Sequence, residues 1–245
     1  MRWRDEALVI GARRHGESSA ILEVLAKTHG RRLGLVRGAL AAALRAALQP
    51  GNHVDASWSA RLEQHLGTFI VEPLRARGPG LMDDATALHG LGALCALLRL
   101  LPEREPAPEL YDMASVIAER LTDRAQAPAL MARFEIALLG ALGFGLDLGA
   151  CALTGASEDL AYVSPKSGRA VSREAGAPWR ERLLPYPAFL QGDDFTRRPD
   201  AAELADAFRL SGHFLNRDVF APRGAPMPPA RGFFLKALLA QAACR

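Results

Sequence analysis

Arg13, Arg14, Arg31, Arg32, Arg37, Arg45 and Arg61 set guanidinium groups through the start of the chain. A planar guanidinium is the side chain best matched to phosphate oxygens. Residues 1–77 hold 12 Lys and Arg against 7 Asp and Glu, a net of +5. The rest holds 18 against 20, a net of −2, and the two give the +3 of the 245-residue chain. A cationic segment joined to a near-neutral one predicts polyanion binding at one end and protein contacts at the other. The same arginines also fit solvated strand edges, which charged side chains protect from pairing. Aromatic residues narrow the kind of binding. Residues 1–77 contain only Trp3, Trp58 and Phe69, and Trp58 falls among apolar positions. A barrel that grips single strands by stacking needs several exposed rings. Binding here is therefore expected to be electrostatic, sequence-independent and salt-sensitive.

Other chemistry is thinly represented. A four-cysteine zinc ribbon needs C-x2-C, a spacer of about 15–20 residues, then C-x2-C. From Cys151 that spacing lands on Thr154, Ser172 and Ala175, which do not complete a closed zinc site. Residues 147–180 are expected to form a metal-free, turn-rich subdomain held by packing. The chain has no P-loop, G-x-S-x-G, H-E-x-x-H or G-x-G-x-x-G, so no enzyme activity and no cofactor are expected. Its six histidines show no ligand spacing. The acid pairs Asp83–Asp84 and Asp193–Asp194 read as helix caps or turn residues. Three cysteines (Cys95, Cys151 and Cys244) make no disulfide framework and fit a reducing cytosol. The longest apolar run, Ala87 to Leu101, includes His89 and Arg99 and is too short to span a bilayer. No signal peptide is evident in MRWRDEALVI. A cytoplasmic, nucleoid-associated protein is expected.

Five strands must position the arginines: 6–13, 20–26, 31–37, 53–61 and 67–72. The fourth has the clearest signal, with Val54, Ala56, Trp58 and Ala60 alternating with polar residues. The third is expected to turn Leu33 and Leu35 to one face. An alanine-rich helix over 39–48 separates the third strand from the fourth. That layout matches an OB-type Greek-key barrel, although strand count alone also allows an SH3-like barrel. Gly78-Pro79-Gly80 breaks the pattern and divides a barrel domain, 1–77, from a mainly α-helical domain, 78–245. Helices are expected from Asp83 or Asp84 to Leu101, from Pro108 to Leu121, from Pro128 to Gly143, over 200–220 and over 230–243. Residues 144–199 read as loop. The fold class is α+β.

Three stretches carry a resemblance. They are EALVIGARRHGESSAILEVLAKTHGRRLGLVRGAL with the later LQPG and the tryptophan strand, RFEIALLGALGFGLDLGACALTG at 133–155, and SPKSGRAVS at 164–172. Together they resemble the RecO family of bacterial recombination-mediator and DNA-repair proteins. The resemblance implies an OB-fold domain and a helical domain, and binding to single- and double-stranded DNA. It implies annealing of complementary strands, and partnership with RecR and single-strand-binding protein in loading recombinase. Many members carry four zinc cysteines; here three are replaced, and zinc is not carried over. The segment after Gly38, often basic in the family, is ALAAALRAALQPG with Arg45 alone. The tail of single-strand-binding protein is acidic with an apolar end, so it needs an arginine beside a hydrophobic slot. Arg133, between Met131 and Phe134, is the expected partner-binding residue with Arg120 and Arg124. These arginines also fit surface pairs with Glu119 or Glu135, worth little to stability. An RNA-binding OB protein and a protein-interaction adaptor are the rival readings.

Overall fold

The computed structural model describes residues 1–77, 80–81, 83–192 and 197–242; Gly78, Pro79, Asp193, Asp194 and Cys244 lie outside them. Five strands, β1 (Arg2–His15), β2 (Ser19–Ala26), β3 (Gly30–Val36), β4 (His53–Ser59) and β5 (Thr68–Arg75), close a barrel in the order β1-β2-β3-β5-β4. The closure is one parallel pairing, Leu35 with Thr68. A helix, α1 (Ala42–Ala47), stands between β3 and β4, and this is the OB-type arrangement. β1 is longer than its apolar centre because it serves two neighbours. Its first half pairs with β4, from Arg2 opposite Ser59 to Leu8 opposite His53, and its second half with β2. Asn52 closes α1: its Nδ2 donates to the carbonyls of Ala46 (2.8 Å) and Ala47 (3.3 Å).

The barrel core joins Val9, Leu22, Val24, Val54, Trp58, Phe69 and Val71 with smaller alanines. β4 buries Val54, Ala56 and Trp58 in strict alternation. β3 turns Leu33 and Leu35 to one face, as expected, and that face is the half-buried one; Gly30, Arg32, Gly34 and Val36 are buried. The cause lies on β5. A Cβ at position 34 would stand 2.5 Å from the Phe69 ring, so only glycine leaves room for that ring.

Contact clustering divides the chain into two compact units. The first is Met1–Thr122 with Pro228–Phe234; the second is Asp123–Met227 with the chain from Leu235. The first therefore holds α2 (Ala85–Leu98) and α3 (Pro108–Arg120) with the barrel. Asp84 caps α2 by accepting from the Thr86 and Ala87 N–H groups. Arg99 Nε meets Glu23 at 2.7 Å and its Nη2 donates to the Ile10 carbonyl at 3.0 Å. Cys95 is buried there, and burial pushes its thiol up to about 12. His53 sits between the barrel and α3, 3.0 Å from Ser115 Oγ and 3.2 Å from Arg77 Nη2. A guanidinium only donates, so Nδ1 accepts and the ring proton rests on Nε2.

The second unit is built on α4 (Ala127–Ala141) and α6 (Ala201–Phe214), which continues as a wide π-type turn, Leu215–Phe220. Phe134, Leu138, Leu210 and Phe214 are buried in it. Glu135, expected at the surface, is fully buried and accepts from Ser211 Oγ at 2.5 Å. Residues 144–199, expected as loop, contain a small sheet of β6 (Leu160–Val163), β7 (Ala170–Ser172) and β8 (Leu184–Pro185) in the order β7-β6-β8, and one helical turn, α5 (Arg173–Gly176). A last helix, α7 (Pro229–Ala242), contributes to both units.

Two outcomes follow. Gly34→Ala forces Phe69 out of place and is expected to cost about 1–3 kcal/mol, read as a lower midpoint in urea with an unchanged slope. His53 is depressed from 6.5 to about 4 by burial first and then by Arg77 and Arg75. Its stability contribution is present above about 6.5 and declines as pH falls toward 4, because the unfolded chain takes up the proton first. His53→Gln should flatten that decline in thermal melts between pH 7 and pH 4, roughly the window set by the two values.

Candidate nucleic-acid interface

The seven barrel arginines divide by depth. Arg13, Arg14, Arg37, Arg45 and Arg61 are exposed, and none has a carboxylate within 4.0 Å among the described residues. Arg14 braces the β1–β2 hairpin, its Nε donating to the Gly16 carbonyl at 3.2 Å. The ladder shows which of them come together. Arg14 pairs with Ala20, and Ala20 with Val36. Arg13, Arg14 and Arg37 thus share one end of the β1–β2–β3 sheet, and the chain leaving Arg37 carries Arg45 on α1. Arg61 follows the end of β4, whose Ser59 faces Arg2. Arg2 is exposed and also lacks an acidic partner. The sequence reading passed over it because it precedes the apolar centre of β1, although MRWRDEALVI already shows the charge.

Arg31 and Arg32 are internal instead. Arg31 reaches Glu23 at 2.7 Å and donates Nε to the Leu101 carbonyl at 2.8 Å. Arg32 is only 6% exposed. Its guanidinium carbon lies 5.5 Å from the Trp58 ring centre and 5.9 Å from Trp3, and Nη2 meets Glu63 at 3.1 Å. Trp3 stacks on His29 (4.3 Å) and Trp58 (5.8 Å), with Phe69 edge-on at 5.9 Å. His29 in turn meets Asp5 at 3.0 Å. Burial raises the Asp5 carboxyl, but hydrogen bonds from His29 and Thr28 outweigh it and leave the pKa lowered. The barrel's aromatic rings are therefore spent on its own interior. Its outer face offers phosphates arginine and offers bases no stacking surface.

Of the three arginines expected at the partner site, Arg120 and Arg124 are exposed and Arg133 is half-buried. Arg133 donates Nη1 to the Gly192 carbonyl at 2.9 Å and Nη2 to the Phe189 carbonyl, tying α4 to the turn at 188–192. Arg120 is the last residue of α3, and Arg124 lies beyond the helix.

Residues 1–77 match the family model described as recombination protein O N terminal, and residues 82–225 match recombination protein O C terminal. The chain belongs to the RecO family. It is 55% identical to "DNA repair protein RecO" of Methylocella silvestris over 235 residues, covering 96% of this chain and 95% of that one. It is 54% identical to the protein of the same name from Chelativorans sp. over 239 residues, covering 98% and 96%. Sinorhizobium medicae has a relative 54% identical over 239 residues, covering 98% and 95%. The chain is accordingly a DNA repair and recombination protein.

The four positions at zinc-ribbon spacing are Cys151, Thr154, Ser172 and Ala175. Cys151 is buried, and the Ser172 N–H donates to its Sγ at 3.2 Å. Burial raises its pKa, but hydrogen bonds from the Ser172 and Thr154 hydroxyls and from the Ser172 and Leu153 N–H groups outweigh it, leaving the thiol lowered to about 6. Thr154 Oγ1 accepts from the Ala156 N–H at 3.3 Å. One sulfur, two hydroxyls and a methyl do not fit zinc, which takes thiolate, imidazole or carboxylate ligands in closed sites. Among the described residues no three His, Cys, Asp or Glu side chains cluster in a way that suits a metal. Elemental analysis after mild chelation is expected to find well under one zinc per chain. Thr154→Cys, Ser172→Cys and Ala175→Cys combined should take up one, and failure to do so would show that the turn has lost the ligand geometry as well as the ligands.

Proposed function

We propose that this chain is a DNA-binding recombination mediator that anneals complementary strands and assists in loading recombinase onto single-stranded DNA. In this reading RecR and the tail of single-strand-binding protein are its partners, and residues 1–77 are its DNA-binding domain, followed by a helical domain over 78–245. The work is non-enzymatic and belongs to the cytoplasm, at the nucleoid. The observation that carries it is the set of exposed, unpaired guanidinium groups at Arg2, Arg13, Arg14, Arg37, Arg45 and Arg61 around a barrel whose aromatic residues are turned inward.

The mechanism follows from electrostatics. Two DNA strands repel through their phosphates, and each arginine that neutralises a phosphate lowers that repulsion and releases a counterion. Because no ring of the barrel competes for the bases, each base remains free to find its complement. Pairing then supplies the driving force, and no nucleotide hydrolysis is required.

Neutralising about four to six phosphates predicts a log–log salt slope of roughly −3 to −4 for single strands, at about −0.7 per phosphate. Changing Arg13, Arg14, Arg37 and Arg45 to Ala should flatten the slope by up to about 3. Arg32→Ala should lower stability instead, since it strips the internal pairing and packing of a buried guanidinium. Titration of a labelled oligonucleotide at several salt concentrations reads the first effect and thermal melting the second. An unchanged slope in the quadruple variant would move the DNA surface off the barrel.

A further inference from the structure

Outside the barrel the bulkiest of the exposed apolar side chains is one that packing does not account for. Trp179 is 54% exposed, whereas Trp58 is buried and Trp3 is stacked within the barrel. Burial is what a tryptophan contributes to a fold, so a ring left in water needs another reason. Its only ring contact among the described residues is the Arg182 guanidinium, 5.9 Å from the ring centre.

The ring is also held out rigidly. It belongs to a tight 3₁₀ turn, Ala177–Arg182, with no buried residue. Pro178 fixes one backbone angle beside it, and Leu183 N–H closes the turn on the Arg180 carbonyl at 3.4 Å. The entry is pinned at Gly176, where a Cβ would meet the Tyr162 ring at 2.5 Å. The exit runs directly into β8, which pairs with β6. Both ends are thus anchored to the small sheet, and the turn projects from it with its aromatic face presented in advance of any ligand.

The charges beside it select among ligands. Arg180 and Arg182 are exposed and lack a carboxylate within 4.0 Å among the described residues, while Arg169 and Arg173 are paired with Asp147 and Asp159. Residues 166–182 hold five Lys and Arg against two Glu, a net of +3. A flat ring flanked by unpaired guanidiniums matches a flat base flanked by phosphates. Duplex DNA offers the phosphates but keeps the faces of its bases stacked.

We infer that Trp179 is a stacking platform for an unpaired base of single-stranded DNA, with Arg180 and Arg182 on the adjoining phosphates. This rests on the mediator reading above and adds to it a contact that distinguishes single from double strands. The barrel then supplies the salt-dependent part of binding, and Trp179 a part that salt scarcely touches.

The test uses the full chain, an oligo-dT strand and a duplex of equal length at three salt concentrations. Oligo-dT should quench a red-shifted tryptophan emission that Trp179→Phe lacks, and duplex should not. Trp179→Ala should weaken oligo-dT about 5- to 150-fold, the range expected for one stacked base, by the same factor at every salt, with duplex affinity and melting temperature kept. Arg180→Ala with Arg182→Ala should flatten the single-strand slope by about 1.4. Oligo-dT binding by Trp179→Ala equal to wild type overturns the inference and leaves the mediator reading intact. Equal loss for both DNAs also overturns it, as would unchanged DNA binding with weakened binding of an acidic, Phe-ended peptide, which would assign the turn to a protein. Absence of any DNA binding by wild type at low salt would remove both readings.

Discussion

The barrel is closed by a single pair of residues, Leu35 and Thr68, and its interior must hold two tryptophans and a phenylalanine against that seam. Space is made by omission. Position 34 has no side chain, so Phe69 lies flat against β3, and position 67, at φ +70, would otherwise drive a Cβ to 2.4 Å from Trp58. Trp58 then donates its Nε1–H to the Leu66 carbonyl at 3.1 Å and ties the β4–β5 connection to the core. With the aromatic layer drawn inward, Arg32 is drawn with it, because β3 can place either Gly34 or Leu33 and Leu35 against that layer but not both. The outer surface that remains presents exposed arginines beside apolar side chains such as Ile70 and Leu74.

Arginine consequently does two unlike jobs in one chain. Arg31, Arg99 and Arg77 hold elements of the first unit together through Glu23 and Glu119, and Arg217 and Arg133 bind backbone carbonyls in the second. These side chains are structural ties whose charge is already answered. Among the described residues, Arg2, Arg13, Arg37 and Arg61 meet no acid. Composition counts the two groups alike, which is why a net charge locates a cationic region without naming its binding residues. Ordinary fold stability needs the first group, while only the second changes the field that an approaching strand meets.

What the sequence made legible follows the strength of each local signal. The period of two in β4 reads directly, because one face is packed and the other is wet. The same rule puts Leu33 and Leu35 of β3 on one face but does not say which face is inner, because a buried arginine and two glycines occupy it; the size of the ring on β5, a non-local fact, decides that. The sheet at β6, β7 and β8 went unread because strands of four, three and two residues are too short to show a period. Caps read well: Asp84 opens α2, and Asp200 opens α6 with Glu203 answering in a capping box. Of the candidate site, residue types were visible and depth was not, so Arg32 was grouped with Arg37 although one faces the core and the other the solvent.

The segment at 147–180 shows how a turn can be closed without a metal. A zinc ribbon holds its two loops by four bonds to one ion. Here the loops are stitched by other means. Asp147 and Gly168 exchange a backbone hydrogen bond at 3.0 Å, and Ala170 N–H returns to Asp147 at 2.8 Å. Ala152 N–H reaches the Ala170 carbonyl at 2.8 Å, and Cys151 Sγ receives the Ser172 N–H at 3.2 Å. Each bond is weak beside a zinc–thiolate bond, at about 0.5–1.5 kcal/mol net. They are nonetheless numerous, directional and independent of any metal supply. A turn closed this way can serve as a fixed base for whatever projects from it, and the element that projects is the turn Ala177–Arg182 carrying Trp179.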